Sequence, residues 1–358
     1  MLAKKQLPTI IGLCFAIFLL VIDPKSAAQG TREGIELCLT TVIPSLFPFI
    51  VISIMLTAHL YSQNLKFLRP LGKLMRLPQN AEALLLVGFL GGYPVGAQNV
   101  IQAYQSGRLR KTHAERLLPI CNNAGPAFIF GIGATILGDI RIAFLIWSLQ
   151  IISSIWIACV SKSDSTFCDT IKQDSAITLT SALSRAIRVL VNICGWITLF
   201  RIIITYLNKW ILCHTTSALC ILISGLLELS NGCCALGAIS CMGDKIILFS
   251  VMLSFGGFCV AQQVKSLLAD TDLSFCAYFP GKTHQAAVCF LLAKLYNQIF
   301  SFEESVFANI GITIGAVSIC CLYIFFNNKA KMNVDFTKKV QYNNHQTRAG
   351  GHTYEIVS

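Results

Sequence analysis

The sequence predicts an all-α polytopic membrane protein of two related repeats, expected in inverted orientation, each with a re-entrant hairpin and a broken helix. Three observations predict it. Of the 358 residues, 54% are hydrophobic and only 13% are charged, about half the charge of an average soluble domain, and the mean hydropathy is +0.66. Apolar runs long enough to span or half-span a bilayer recur along the whole chain. Four of those runs are interrupted by glycine, proline or asparagine, two in each half.

Residues 1–30 read as an N-terminal membrane helix and a polar turn. Lys4 and Lys5 precede the apolar run 7–22, and Asp23-Pro24 supplies a polar stop. Ser26-Ala27-Ala28 resembles a signal cleavage site, but the polytopic remainder favours an uncleaved first helix.

Residues 31–160 form the first repeat, with membrane segments at 41–60, 81–106, 118–138 and 141–160. Segment 81–106 lies between two basic loops, one with Lys66, Arg69, Lys73 and Arg76, the other with Arg108, Arg110, Lys111 and Arg116. Short loops this basic stay on the cytoplasmic side. The segment between them therefore enters and leaves on one side, as a re-entrant hairpin turning at Gly91-Gly92-Tyr93-Pro94, where glycine permits unusual backbone angles and proline stops a helix. Segment 118–138 is broken at Asn122-Asn123-Ala124-Gly125-Pro126.

A polar loop, 161–186, follows, with an amphipathic piece from Ile177 to Arg188. The second repeat, 187–326, carries segments at 188–207, 211–242, 246–268, 283–300 and 306–326. Segment 211–242 is broken at Glu228-Leu229-Ser230-Asn231-Gly232. Segment 246–268 reads as the second hairpin, because 256–264 repeats the order of 91–100: two glycines, an aromatic, one residue, valine, then Ala-Gln-x-Val with one deletion. Residues 327–358 are basic, rich in Asn and Lys, and read as a disordered tail. Charge counting leaves the topology of the second half open.

Non-helical backbone is tolerated at membrane depth only where protein or a watery cavity satisfies it, and paired interrupted segments mark a transporter site. The plainer reading is that the glycines allow close helix packing. The candidate solute-binding residues are Gly91, Gly92, Tyr93, Pro94 and Gln98 in the first hairpin and Asn122, Asn123, Gly125 and Pro126 in the first break. In the second half they are Glu228, Ser230, Asn231 and Gly232, then Gly256, Gly257, Gln262 and Gln263. Backbone N–H groups at these interruptions suit carboxylate or polar groups of a solute. Tyr93 and Phe258 either wall the site or pack the hairpins.

Burying an isolated carboxylate such as Glu228 costs roughly 2.5–3.5 kcal/mol on insertion scales. It either binds a coupling proton or sodium ion, or orients the solute, or only stabilises the helix break. Arg201, inside an apolar run, either attracts an anionic solute or snorkels to an interface.

Other function classes are excluded or unsupported. The net charge of +11 sits on residues flanking membrane runs, a topology signal rather than a nucleic-acid surface. None of the sixteen cysteines forms a C-x-x-C pair, and most lie in apolar runs, where cysteine behaves as a small hydrophobe; no metal site is expected. No Walker, HExxH or GxSxG motif occurs, so no catalytic residue, cofactor or ATP engine is expected.

Together PSLFPF (44–49), GFLGGYPVGAQ (88–98), CNNAGP (121–126), GLLELSNG (225–232) and SFGGFCVAQQ (254–263) resemble the YlbJ family. These are sporulation integral membrane proteins with a nucleoside-recognition, or Gate, domain, and the resemblance covers residues 7–326. It implies a multi-pass protein of the bacterial cell membrane, in a spore former the forespore membrane, distantly similar to concentrative nucleoside transporters. The implied function is a secondary carrier moving a small anionic ring-containing metabolite, dipicolinate-like, by alternating access. The implied hairpin tips are 91–98 and 256–263, and the implied breaks are 122–126 and 228–232. The alternative is a non-transporting membrane scaffold for sporulation or envelope development.

Overall fold

The computed structural model describes residues 2–61, 65–78, 81–161, 178–214 and 217–302. The expected segment 306–326, the tail 327–358 and most of the loop 161–186 lie outside these residues. Among the described residues every regular element is helical.

Helix α1 (Leu2–Ile22) ends at Asp23, which starts the next helix: its carboxylate accepts from the Ser26 amide at 3.2 Å and the Ser26 hydroxyl at 2.7 Å. With Pro24 at the first helical position, this is a strong helix start, so the polar turn expected before residue 30 shrinks to Asp23. Helix α2 (Pro24–Leu37) passes through a π turn (Cys38–Val42) into α3 (Ile43–Tyr61), giving one apolar run from Pro24 to Leu60.

Then come α4 (Arg69–Leu74), α5 (Glu82–Gly91), α6 (Val95–Gln105) and α7 (Lys111–Cys121). After the interruption at 122–125, α8 (Pro126–Phe128), a second π turn (Ile129–Gly133) and α9 (Ala134–Leu137) continue the course of α7. Helix α10 is Ile140–Val160. Helix α11 (Leu179–Trp210), capped by Thr178, absorbs most of the amphipathic stretch. The remainder is α12 (Ser217–Leu227), α13 (Leu229–Ala235), α14 (Met242–Phe255), α15 (Gly257–Leu267) and α16 (Tyr278–Ile299).

Polar contacts mark the two ends of the bundle. At the basic end Asp272 accepts from the Tyr104 hydroxyl at 2.5 Å and pairs with Lys111 at 3.1 Å, and Arg185 donates to Gln102 at 3.2 Å. The Arg116 guanidinium donates there to the carbonyls of Met75, Arg76 and Ala158. At the far end Lys209 pairs with Asp23 at 2.5 Å, and Asn297 donates to the Gly243 carbonyl at 3.0 Å.

Against this axis, α5 and α6 form a hairpin rooted at the basic end. Gly88 and Gly96 both press on the Cys121 carbonyl oxygen; a Cβ on either would come within 2.3 and 1.9 Å of it. In a continuous helix eight residues rise about 12 Å, so the chain has reversed between them. The reversal uses Gly92 at φ +76°, a conformation that side-chain-bearing residues rarely adopt, followed by a cis Tyr93–Pro94 bond.

The second half exchanges the roles expected of its two interruptions. A Cβ on Gly232 would lie 2.1 Å from the Gly225 Cα, although seven helical residues rise about 10 Å. The chain therefore turns back at Glu228, and α12–α13 is a hairpin entering from the far end. By contrast, α14 and α15 form one span, Met242–Leu267, from Gly243 at the far end to Ser266, which meets Asn192 at 3.3 Å toward the basic end. Gly256, at φ +83°, interrupts that span without reversing it. Segment 211–242 thus contains the hairpin and 246–268 the broken helix. The double-glycine likeness of 91–100 and 256–264 joins a hairpin tip to a helix break, because such a motif encodes a gap in helical hydrogen bonding and not the direction taken afterwards.

Candidate solute site

Each hairpin tip rests against the break of its own half. Gly92 faces Gly125, where a Cβ on Gly92 would come within 3.0 Å of the Gly125 amide nitrogen. Gly257 faces the carbonyls of Gly225, Leu226 and Leu227 at the end of α12. Tyr93 joins the halves: its hydroxyl donates to the Leu253 carbonyl in the last turn of α14, and its ring covers Gly256.

Between these elements lies a cavity of ≈ 50 Å³. Seven candidate residues line it: Gly91, Gly92, Tyr93, Gly125, Glu228, Ser230 and Gln263. Ser45, Phe128, Ile193 and Val260 are among the other residues of its wall, contributed by α3, α8, α11 and α15. Ser45 belongs to the PSLFPF motif, which carried no candidate site residue.

Glu228 is buried at the tip of the second hairpin. One carboxylate oxygen accepts from the Ser230 amide at 3.1 Å; the other accepts from the Asn231 amide and the Asn231 side chain, both at 2.8 Å. It caps α13 and lines the cavity at once, its oxygens turned to the amides of a helix start.

The remaining candidates lie elsewhere. Pro94, Gln98, Pro126, Asn231, Gly232, Gly256, Gly257 and Gln262 are outside the cavity lining, and Asn122 and Asn123 are fully buried outside it too. Phe258 is 40% exposed and packs on Phe255 and Phe279, so it is no wall of the site. Arg201 neither faces the cavity nor snorkels unpaired. Its Nε and Nη2 donate to one Glu33 oxygen at 2.9 and 2.6 Å, and Nη1 donates to Asn231 Oδ1. A chain Glu33–Arg201–Asn231–Glu228 therefore connects the outer cleft, which Glu33 and Arg201 line, to the cavity.

No family model matches the chain, and no solved structure matches it. It is 22% identical to the sporulation integral membrane protein YlbJ of Bacillus subtilis (strain 168), over 89% of this chain and 95% of that one. The likeness to the YlbJ type of sporulation integral membrane protein therefore runs along most of both chains. Five helices among the described residues are long and apolar enough to cross a membrane, as a multi-pass membrane protein requires.

A residue that the sequence analysis did not single out is Lys282 in α16, 1% exposed. Its Nζ donates to Gln285 Oε1 at 2.6 Å and the Asn122 carbonyl at 2.9 Å, reaches Asn123 Oδ1 at 3.4 Å, and lies 5.4 Å from the Tyr93 ring centroid. Gln285 extends the cluster, donating to Asn123 Oδ1 at 2.8 Å and Ser154 at 3.0 Å. The available signal was Lys282 and Gln285 one helical turn apart in GKTHQ; the expected segment began at 283, one residue after that lysine.

Proposed function

We propose that this protein is a secondary carrier, acting in sporulation, for a small anionic ring-containing metabolite such as an aromatic dicarboxylate. One observation carries the reading: two hairpin tips from opposite ends of the bundle, Tyr93 and Glu228, wall a single cavity. Such paired half-length elements around a mid-depth site are the architecture of alternating access. Ser45, Ser230 and Gln263 supply polar contacts, Tyr93 and Phe128 supply ring faces, and the Lys282 ammonium behind Tyr93 makes the site favourable to an anion. Glu228 either carries a coupling proton or orients the solute.

A volume of ≈ 50 Å³ admits a few waters, at roughly 10–15 Å³ each, and falls well short of the roughly 300–1,000 Å³ of ligand pockets. On the carrier reading so small a volume belongs to a closed conformer, and a ring-sized solute enters when a hairpin tip withdraws. Purified protein in proteoliposomes tests the reading with dipicolinate and with nucleosides. Flux of dipicolinate above empty vesicles is expected. No flux of any of these solutes would leave the scaffold alternative standing.

A further inference from the structure

Lys282 presents a problem that the carrier reading does not by itself solve. Burying a charged side chain inside a protein is costly, and a buried ammonium is usually paired with a carboxylate. Here no carboxylate pairs with it among the described residues; its neighbours are three uncharged oxygens, the Asn122 carbonyl, Asn123 Oδ1 and Gln285 Oε1. A leucine or methionine would fill the volume without burying a charge.

The position of those oxygens is informative. Asn122 is the C-cap of α7, where the chain unwinds. The carbonyl end of a helix carries a partial negative charge, and unwound carbonyls at half-helix C-termini hold the monovalent coupling ions of carriers. A second observation points the same way. Asn122 Oδ1 is fully buried and has no hydrogen-bond partner among the described residues, an acceptor in excess of those that Lys282 uses. An ammonium has three donors, and three acceptors surround this one, so the lysine behaves as an ion on a tether.

We infer that the Lys282 ammonium occupies the seat of a monovalent coupling cation, so that the wild-type protein needs neither sodium nor potassium at the first helix break. Removing the side chain should uncover an alkali-cation site made by Asn122, Asn123 and Gln285. The inference rests on the carrier reading for the meaning of that seat, but its test measures cation occupancy and no solute flux, so either can fail without the other.

The full chain in detergent, as wild type, Lys282→Ala and Lys282→Gln, is compared in sodium, potassium and choline chloride. Radioactive sodium retention and melting temperature are read. Wild type and Lys282→Gln, whose amide fills the seat, should retain no sodium and melt alike in the three salts. Lys282→Ala should retain about one sodium per chain, and sodium or potassium should raise its melting temperature by about 5 °C over choline when the salt greatly exceeds Kd. If Lys282→Ala is not recoverable in choline, recovery in sodium or potassium supports the inference, and failure in all three salts overturns it. Sodium retention by the wild type, a folded Lys282→Ala indifferent to the salt, or equal cation responses in the Ala and Gln variants would each overturn it too.

Discussion

The Tyr93 hydroxyl donates to the Leu253 carbonyl, 160 residues further along the chain, and so ties the tip of one hairpin to the broken span of the other half. The Leu253 carbonyl also accepts from Gln150 Nε2 at 3.2 Å. Tyr93→Phe therefore removes one bond without orphaning the acceptor. The expected cost is about 1 kcal/mol or less, read as a small fall in melting temperature. Tyr93→Ala also removes a ring from the cavity wall, with an expected loss of about 3–5 kcal/mol.

Glu228 accepts the first amides of α13, and a lost helix cap costs about 0.5–2 kcal/mol. Glu228→Gln keeps a carbonyl acceptor and should fold with a modestly lower melting temperature, whereas Glu228→Ala should fall further. In proteoliposomes Glu228→Gln should lose flux or flatten its pH dependence. Wild-type rate and pH profile in that variant would take Glu228 out of the mechanism.

Glycines in this chain divide sharply by what surrounds them. A Cβ on Gly96 would meet the Cys121 carbonyl oxygen at 1.9 Å, and nothing lies within 4 Å of one on Gly195 in α11. Gly96→Ala forces the first hairpin away from α7 and should cost about 3 kcal/mol or more, while Gly195→Ala should stabilise by about 0.5–1 kcal/mol. Melting temperatures of opposite sign relative to wild type would confirm the contrast.

Asp272, in the loop between α15 and α16, has its carboxyl held below the usual carboxylate range, first by the Tyr104 hydroxyl and then by Lys111. A depressed acid contributes stability above its unfolded pKa, and that contribution disappears as pH falls through the folded value. The melting-temperature difference between wild type and Asp272→Asn should be constant above about pH 5 and shrink as pH drops below the ordinary carboxylate value near 4. A difference that persists unchanged to pH 2 would contradict this.

Membrane placement, the four interruptions and the burial of Glu228 were all legible in the amino-acid order. Hydropathy and chain-breaking residues act locally, through the transfer of each segment into lipid and through the loss of helical hydrogen bonds at glycine, proline and asparagine. Which interruption reverses the chain was decided by tertiary structure. Reversal needs two arms that can touch, as Gly225 and Gly232 do, and Gly256 has no such partner across its break. The same holds for partners: Glu33, 168 residues from Arg201, neutralises a charge that looked free. Lys282 gains its place from the Asn122 and Asn123 oxygens roughly 160 residues earlier. A buried charge is satisfied by whatever packing brings beside it, and that is set by the fold, not by the neighbouring letters.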